Sequence, residues 1–148
     1  MNDLLESYYI SEDEKERIKL IDLMLEDYTH YLELVLNNIQ EGKELRSNAY
    51  LLNLMSKKKR VNDYLKTRFN KNHFNKLIND SDAKCRKNLY IFMGNFLSKE
   101  FLMDLIKALK NEKVNYCISS LVLTLGNYHI KNIDEIMNKY LDLLNVRL

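Results

Sequence analysis

The sequence predicts an all-helical protein whose second half is built from repeated helix pairs, and three observations carry that expectation. Proline is absent and glycine occurs only at Gly42, Gly94 and Gly126, whereas β-hairpins need such turn residues at their reversals. Apolar residues recur at intervals of three and four, the spacing that lines one face of a helix. The stretch from Cys85 to Phe96 returns 32 residues later as Cys117 to Tyr128.

At 148 residues, with 46% apolar and 30% charged positions, the chain has the size and composition of one packed unit. Charges interrupt every apolar run before the roughly 20 residues that a membrane span requires. The first ten residues carry Asp3 and Glu6 and lack the basic start of a signal peptide. Cys85 and Cys117 are isolated, which suits free, buried thiols in a reducing, cytoplasmic compartment.

Taken in order, Ser11 and Glu14 have the spacing of a capping box that would start a helix. Ile18, Ile21, Leu25, Tyr28, Leu32, Val35, Leu36 and Ile39 then mark one apolar face that ends near Gly42. This is one long helix, or two with a break near Thr29. Residues 1–44 form a helical cap within the same domain. Leu45, Ala49, Leu52 and Met55 predict a helix over about 45–55; Val61, Tyr64, Leu65 and Phe69 predict another over about 60–69. A short helix with Phe74, Leu77 and Ile78 follows. Asp80-Ser81-Asp82 should then close one helix and cap the next.

The internal repeat sets Cys85 on Cys117, Leu89 on Leu121, Gly94 on Gly126, Asn95 on Asn127 and Phe96 on Tyr128. Each glycine is expected to supply the left-handed residue that ends its helix. A second helix follows in each copy, with Phe101, Leu102, Leu105, Ile106 and Leu109 in one and Ile133, Ile136, Met137, Tyr140, Leu141 and Leu144 in the other. A two-helix unit with a period in the thirties is the mark of an α-solenoid, in which stacking alone makes the core continuous. Residues 45–148 thus hold about three helix pairs, the last two clear.

At Asp80-Ser81-Asp82, Cys85-Arg86, Leu89 and Met93-Gly94 the chain resembles HEAT-like repeats, and Cys117, Leu121 and Leu125-Gly126 keep part of the pattern. Ile118 stands where the arginine would be, and neither copy has the proline that often bends the first helix. The resemblance covers about residues 72–144. It implies a right-handed α-solenoid of antiparallel helix pairs, and it places Arg86 where such repeats bond an acidic residue of a neighbouring unit.

Charge is asymmetric. Residues 1–48 hold 5 Lys/Arg against 12 Asp/Glu, a net of −7, and residues 49–148 hold 18 against 9, a net of +9. Between positions 57 and 87 stand Lys57, Lys58, Lys59, Arg60, Lys66, Arg68, Lys71, Lys76, Lys84, Arg86 and Lys87 against Asp63, Asp80 and Asp82. Tyr64, Phe69, His73 and Phe74 are interleaved. Ten of these cations, all but Arg86, are the candidate polyanion-binding set, since lysines and arginines hold phosphates while rings stack bases. Two plainer readings stand beside it: a solvated helical face whose rings turn inward, and a surface neutralised by the acidic stretch Glu12 to Glu16 with Glu26 and Asp27.

No catalytic, cofactor-binding or metal-ligating constellation stands out: the cysteines lack zinc-site spacing, and His30, His73 and His129 are scattered. The expectation is a non-enzymatic scaffold or adaptor without a cofactor. It would bind a protein partner or a second copy, through the second helices Leu102 to Leu109 and Ile136 to Leu144 or through the apolar end Leu143 to Leu148. That end also suggests the N-terminal domain of a longer protein. The alternative is a nucleic-acid-binding module, such as the recognition domain of a nucleic-acid-modifying enzyme, using segment 57–87.

Overall fold

The computed structural model describes residues 3–128, and every regular element among them is helical. None of these helices is long and apolar enough to cross a membrane. The second helix expected for the last repeat, Ile133 to Leu144, and the apolar end Leu143 to Leu148 lie outside the described residues.

The N-terminal cap contains an element that has no strong sequence signal, α1 (Asp3–Ile10). Eight residues are too few for a stable isolated helix in water. Burial of Leu5 and Tyr8 holds it in place, with the Tyr8 hydroxyl donating to the Ser47 carbonyl at 2.5 Å and that of Tyr9 to Asn48 Oδ1 at 2.7 Å. Helix α2 (Glu14–Met24) starts later than the Ser11 capping box implied: Asp13 is the N-cap and accepts from the Lys15 amide, while Ser11 Oγ donates to the Asp13 carbonyl. A 3₁₀ turn over Leu25–Asp27 separates α2 from α3 (Tyr28–Gln40), so the apolar face is carried by two helices. Ile21, Leu25, Leu32, Val35, Leu36 and Ile39 are buried as expected, but Ile18 is exposed.

Gly42 ends α3 in the left-handed conformation at φ 75°. Its amide donates to Ile39 O at 2.9 Å and the Lys43 amide to Asn38 O at 2.8 Å, the paired bonds of a Schellman motif. Helix α4 spans Leu45–Met55 as expected, whereas α5 (Lys59–Leu65) stops short of Phe69. Asn70 caps α6 (Lys71–Ile78), and Asp82 caps α7 (Ala83–Phe96) by accepting from the Lys84 amide at 2.8 Å. A 3₁₀ turn over Lys99–Phe101 leads to α8 (Leu102–Asn111), and α9 (Asn115–Asn127) follows.

The two repeat glycines do not end their helices. Gly94 and Gly126 both lie inside helical segments, and the left-handed residue after α7 is Leu97, at φ 56°. Gly94 serves close approach instead: a Cβ there would sit 2.9 Å from Thr124 Oγ1 and 3.2 Å from Asn127 Nδ2 of α9.

Helix α4 packs along α7, and α7 along α9. Contacts at matching ends show that the three run parallel. At the C-terminal ends Asn95 Nδ2 donates to Ser56 Oγ at 3.0 Å and Asn127 Nδ2 donates to Gly94 O at 3.3 Å. At the N-terminal ends Arg46 lies 3.6 Å from Asp82, and Cys117 Sγ donates to Ala83 O at 3.2 Å. The repeated asparagine therefore plays one role twice, tying a helix end to the helix before it. Helix α6 lies against α3, α4 and α7, and α8 against α9. All five phenylalanines, Phe69, Phe74, Phe92, Phe96 and Phe101, meet in one buried cluster with ring centroids 4.9–6.0 Å apart.

Candidate polyanion-binding surface

The basic segment 57–87 is divided by the fold. Lys57, Lys58, Lys59 and Arg60 follow the C-terminal end of α4, whereas Lys84 and Lys87 lie in the first turns of α7. Because α4 and α7 are parallel, these groups sit at opposite ends of the stack, roughly 15–20 Å apart along the helix axis. Several of the cations are already paired: Lys59 and Lys66 with Asp63 at 2.8 and 3.5 Å, Arg68 with Glu33 at 2.8 Å, and Lys71 with Asp104. Arg60 lies 5.6 Å from the Tyr28 ring. Lys57, Lys58 and Lys76 are exposed.

The interleaved rings turn inward, apart from Tyr64. Phe69 and Phe74 belong to the phenylalanine cluster, and buried His73 stacks on Phe69 while its Nδ1 accepts from the Asn70 amide at 3.1 Å. Burial lowers the pKa of His73, keeping the imidazole neutral for that role. Tyr64 donates to Glu33 beneath the Arg68 guanidinium, 4.1 Å from its ring. Of the rings interleaved in segment 57–76, Tyr64 is the partly exposed one, and the Arg68 guanidinium lies over it. The acidic cap reaches the basic segment through Glu33 and Glu14, and Glu26 and Asp27 make no ion pair among the described residues.

A different cluster forms where the N-terminal ends of α4 and α7 meet α2. There a cleft of about 480 Å³ is lined by Arg17, Arg46, Lys84 and Lys87 against the single carboxylate of Glu14, with Tyr50 in its wall. Glu14 accepts from the Tyr50 hydroxyl at 3.3 Å, and the Arg17 guanidinium lies 5.9 Å from the Tyr50 ring. Arg17 Nη1 donates to the Ser11 carbonyl, but its Nε is shielded from solvent and has no acceptor among the described residues. Lys84 and Lys87 both place their amines 5.7 Å from the ring of Tyr116, which is 42% exposed. Neither lysine has a carboxylate partner among the described residues. The positive ends of two helix dipoles point to the same edge.

Arg17 and Arg46 belong to the acidic half of the chain, so counting charge along the sequence misses them. Their signal is weak but present: Arg17 follows the α2 cap by one turn, and Arg46 stands in the first turn of α4.

Arg86 is committed elsewhere. It pairs with Glu112 through Nε and Nη2 at 2.9 and 3.0 Å and also donates to the carbonyls of Asp80 and Ser81. Glu112, between α8 and α9, accepts in addition from Tyr90 and from the Lys113 and Val114 amides. Burial opposes the charge on Glu112, yet these donors, Arg86 first, hold its carboxyl below the usual glutamate range. Cys85 and Cys117 are buried free thiols, both pushed up in pKa by burial. His30 is exposed against Tyr31, His129 lies outside the described residues, and no group of potential metal ligands occurs among those described.

The second-helix surface is largely core: Leu105, Ile106 and Leu109 of α8 are buried, and Met103 is its exposed apolar residue. No family model matches the chain, and neither a curated protein nor a solved structure is significantly similar to it.

Proposed function

We propose that this chain is a HEAT-like scaffold, a right-handed α-solenoid that works in the cytoplasm by docking an anionic macromolecule rather than by catalysis. The observation that carries the reading is the basic cleft at the N-terminal edge of the parallel stack, where Arg17, Arg46, Lys84 and Lys87 gather with Glu14 in the lining and Asp82 3.6 Å from Arg46. Four cations brought together on a rigid frame raise the local potential well beyond what a net charge of +2 implies. The repeated cross-helix bonds of Asn95 and Asn127 support the solenoid reading, and the two buried thiols suit a reducing compartment.

Chromatography on immobilised heparin tests this reading. Lys84→Ala/Lys87→Ala should elute at clearly lower salt than the parent chain, while Lys59→Ala/Lys66→Ala, which removes the same formal charge from residues already paired with Asp63, should elute close to it. Equal elution of the two variants would count against a localised docking surface.

A further inference from the structure

We infer that the cleft between α2, α4 and α7 is a binding site for single-stranded nucleic acid, with a backbone phosphate held by Arg17, Arg46, Lys84 and Lys87 and bases placed against Tyr50 and Tyr116. The inference rests on the reading of this edge as an anion-docking surface and adds the class of anion.

Three features fit a single-stranded nucleotide chain. The first is size: a cleft of about 480 Å³ has room for a single nucleotide. Aromatic rings are the second. Tyr50 lines the cleft and Tyr116 stands exposed beside Lys84 and Lys87, the combination of π-faces and amines that holds successive bases and phosphates without reading sequence. Glu14 is the third. Its carboxylate can accept from a base N–H and from ribose hydroxyls, donors that an acidic side chain lacks.

Arg17 completes the site. It lines the cleft, and Nη1, by donating to the Ser11 carbonyl at 3.2 Å, fixes the guanidinium beside Tyr50, where its positive charge would attract a phosphate. Lys84 has no competing carboxylate, and Arg46 is loosely held, 61% exposed and 3.6 Å from Asp82. The cations are therefore available without breaking a buried ion pair, in contrast to Arg86.

Fluorescence anisotropy of a labelled oligouridine of about ten nucleotides, a length that spans the site sizes of single-strand binders, tests the inference on the full chain. The oligonucleotide should bind at low salt, and the affinity should fall steeply as salt rises. Lys84→Ala/Lys87→Ala should weaken binding by about tenfold or more, with Lys57→Ala/Lys58→Ala, at the opposite end of the stack, within about twofold. Circular dichroism verifies that each variant is folded. A duplex of the same length should compete at least about tenfold more weakly.

No binding of the oligouridine at low salt, equal weakening by both double variants, or equal competition by the duplex would overturn the inference. Binding of polyglutamate but not of the oligonucleotide would overturn it while leaving the anion-docking reading intact. Failure of both probes would remove that reading as well.

Discussion

Replacing Glu112 with alanine should destabilise the protein by about 3–5 kcal/mol, the usual cost of removing one partner from a buried ion pair. The side chain of Glu112 is 3% exposed and that of Arg86 16%. Two carboxylate oxygens serve five donors: Arg86 Nε and the Tyr90 hydroxyl on Oε1, and Arg86 Nη2 with the Lys113 and Val114 amides on Oε2. Truncation leaves Arg86 Nε and Nη2, a buried hydroxyl and two loop amides without this acceptor at the junction of α7, α8 and α9, so the damage reaches beyond one pair. Tyr90→Phe, which removes a single donor, should cost only about 1 kcal/mol.

The same group shapes the acid response. Its carboxyl is held below the ordinary glutamate range in the fold, so its contribution is present above about pH 4.3 and is lost as pH falls through the lower folded value. Glu112→Gln should therefore be less stable at neutral pH and should lose less on acidification than the parent chain, as thermal melts from neutral to acid pH will register. His73 adds a separate loss at higher pH. Its lowered pKa makes stability present above about pH 6.5 and lost as pH falls and Nδ1 takes a proton in place of the Asn70 amide.

The repeat-equivalent glycines should respond to substitution with opposite signs. Gly94→Ala gains up to about 1 kcal/mol of helix propensity, but its Cβ would lie 2.9 Å from Thr124 Oγ1 and 3.5 Å from Thr124 Cα. Thr124 has no room to yield: it is β-branched and buried, and its hydroxyl donates to Tyr90 O at 2.6 Å. The net effect is a loss of stability, larger for Gly94→Val, with about 1–3 kcal/mol the usual cost of overpacking. Gly126→Ala meets no described atom within 4 Å and should stabilise by roughly 0.5 kcal/mol. Urea titration separates the two outcomes. A shift of the same sign in both would contradict the assignment of Gly94 as a contact glycine.

These glycines also mark how much of the fold is legible in the sequence. Their register identified α7 and α9 as equivalent, because repeated packing leaves repeated residues. Their role was not legible, since a helix stop and a close helix crossing select the same residue, and the deciding atom is Thr124, thirty positions from Gly94. Local chemistry was read well where it is self-sufficient, as at Gly42 and at Asp80 to Asp82. At residues 11–13 it points to the wrong cap: Ser11 and Glu14 have capping-box spacing, but Asp13, two positions on, accepts from the Lys15 amide and prevails. Helix α1 depends on tertiary burial of Leu5 and Tyr8, which no local pattern announces.

The candidate site was legible only in part. Lys84 and Lys87 are in the basic segment, but parallel packing of α4 and α7 sends Lys57 to Arg60 to the far end and brings in Arg17 and Arg46 from the acidic half. Proximity in sequence is a poor guide to charge density once helices stack side by side.

On the proposed function, the N-terminal edge of the stack is the working surface. Nuclear magnetic resonance of the isotope-labelled chain titrated with a short oligouridine tests it most directly. The expected result is a set of shift changes confined to residues 14–17, 46–50, 84–88 and 116. Changes centred on residues 57–68 instead, or no changes at low salt, would contradict it.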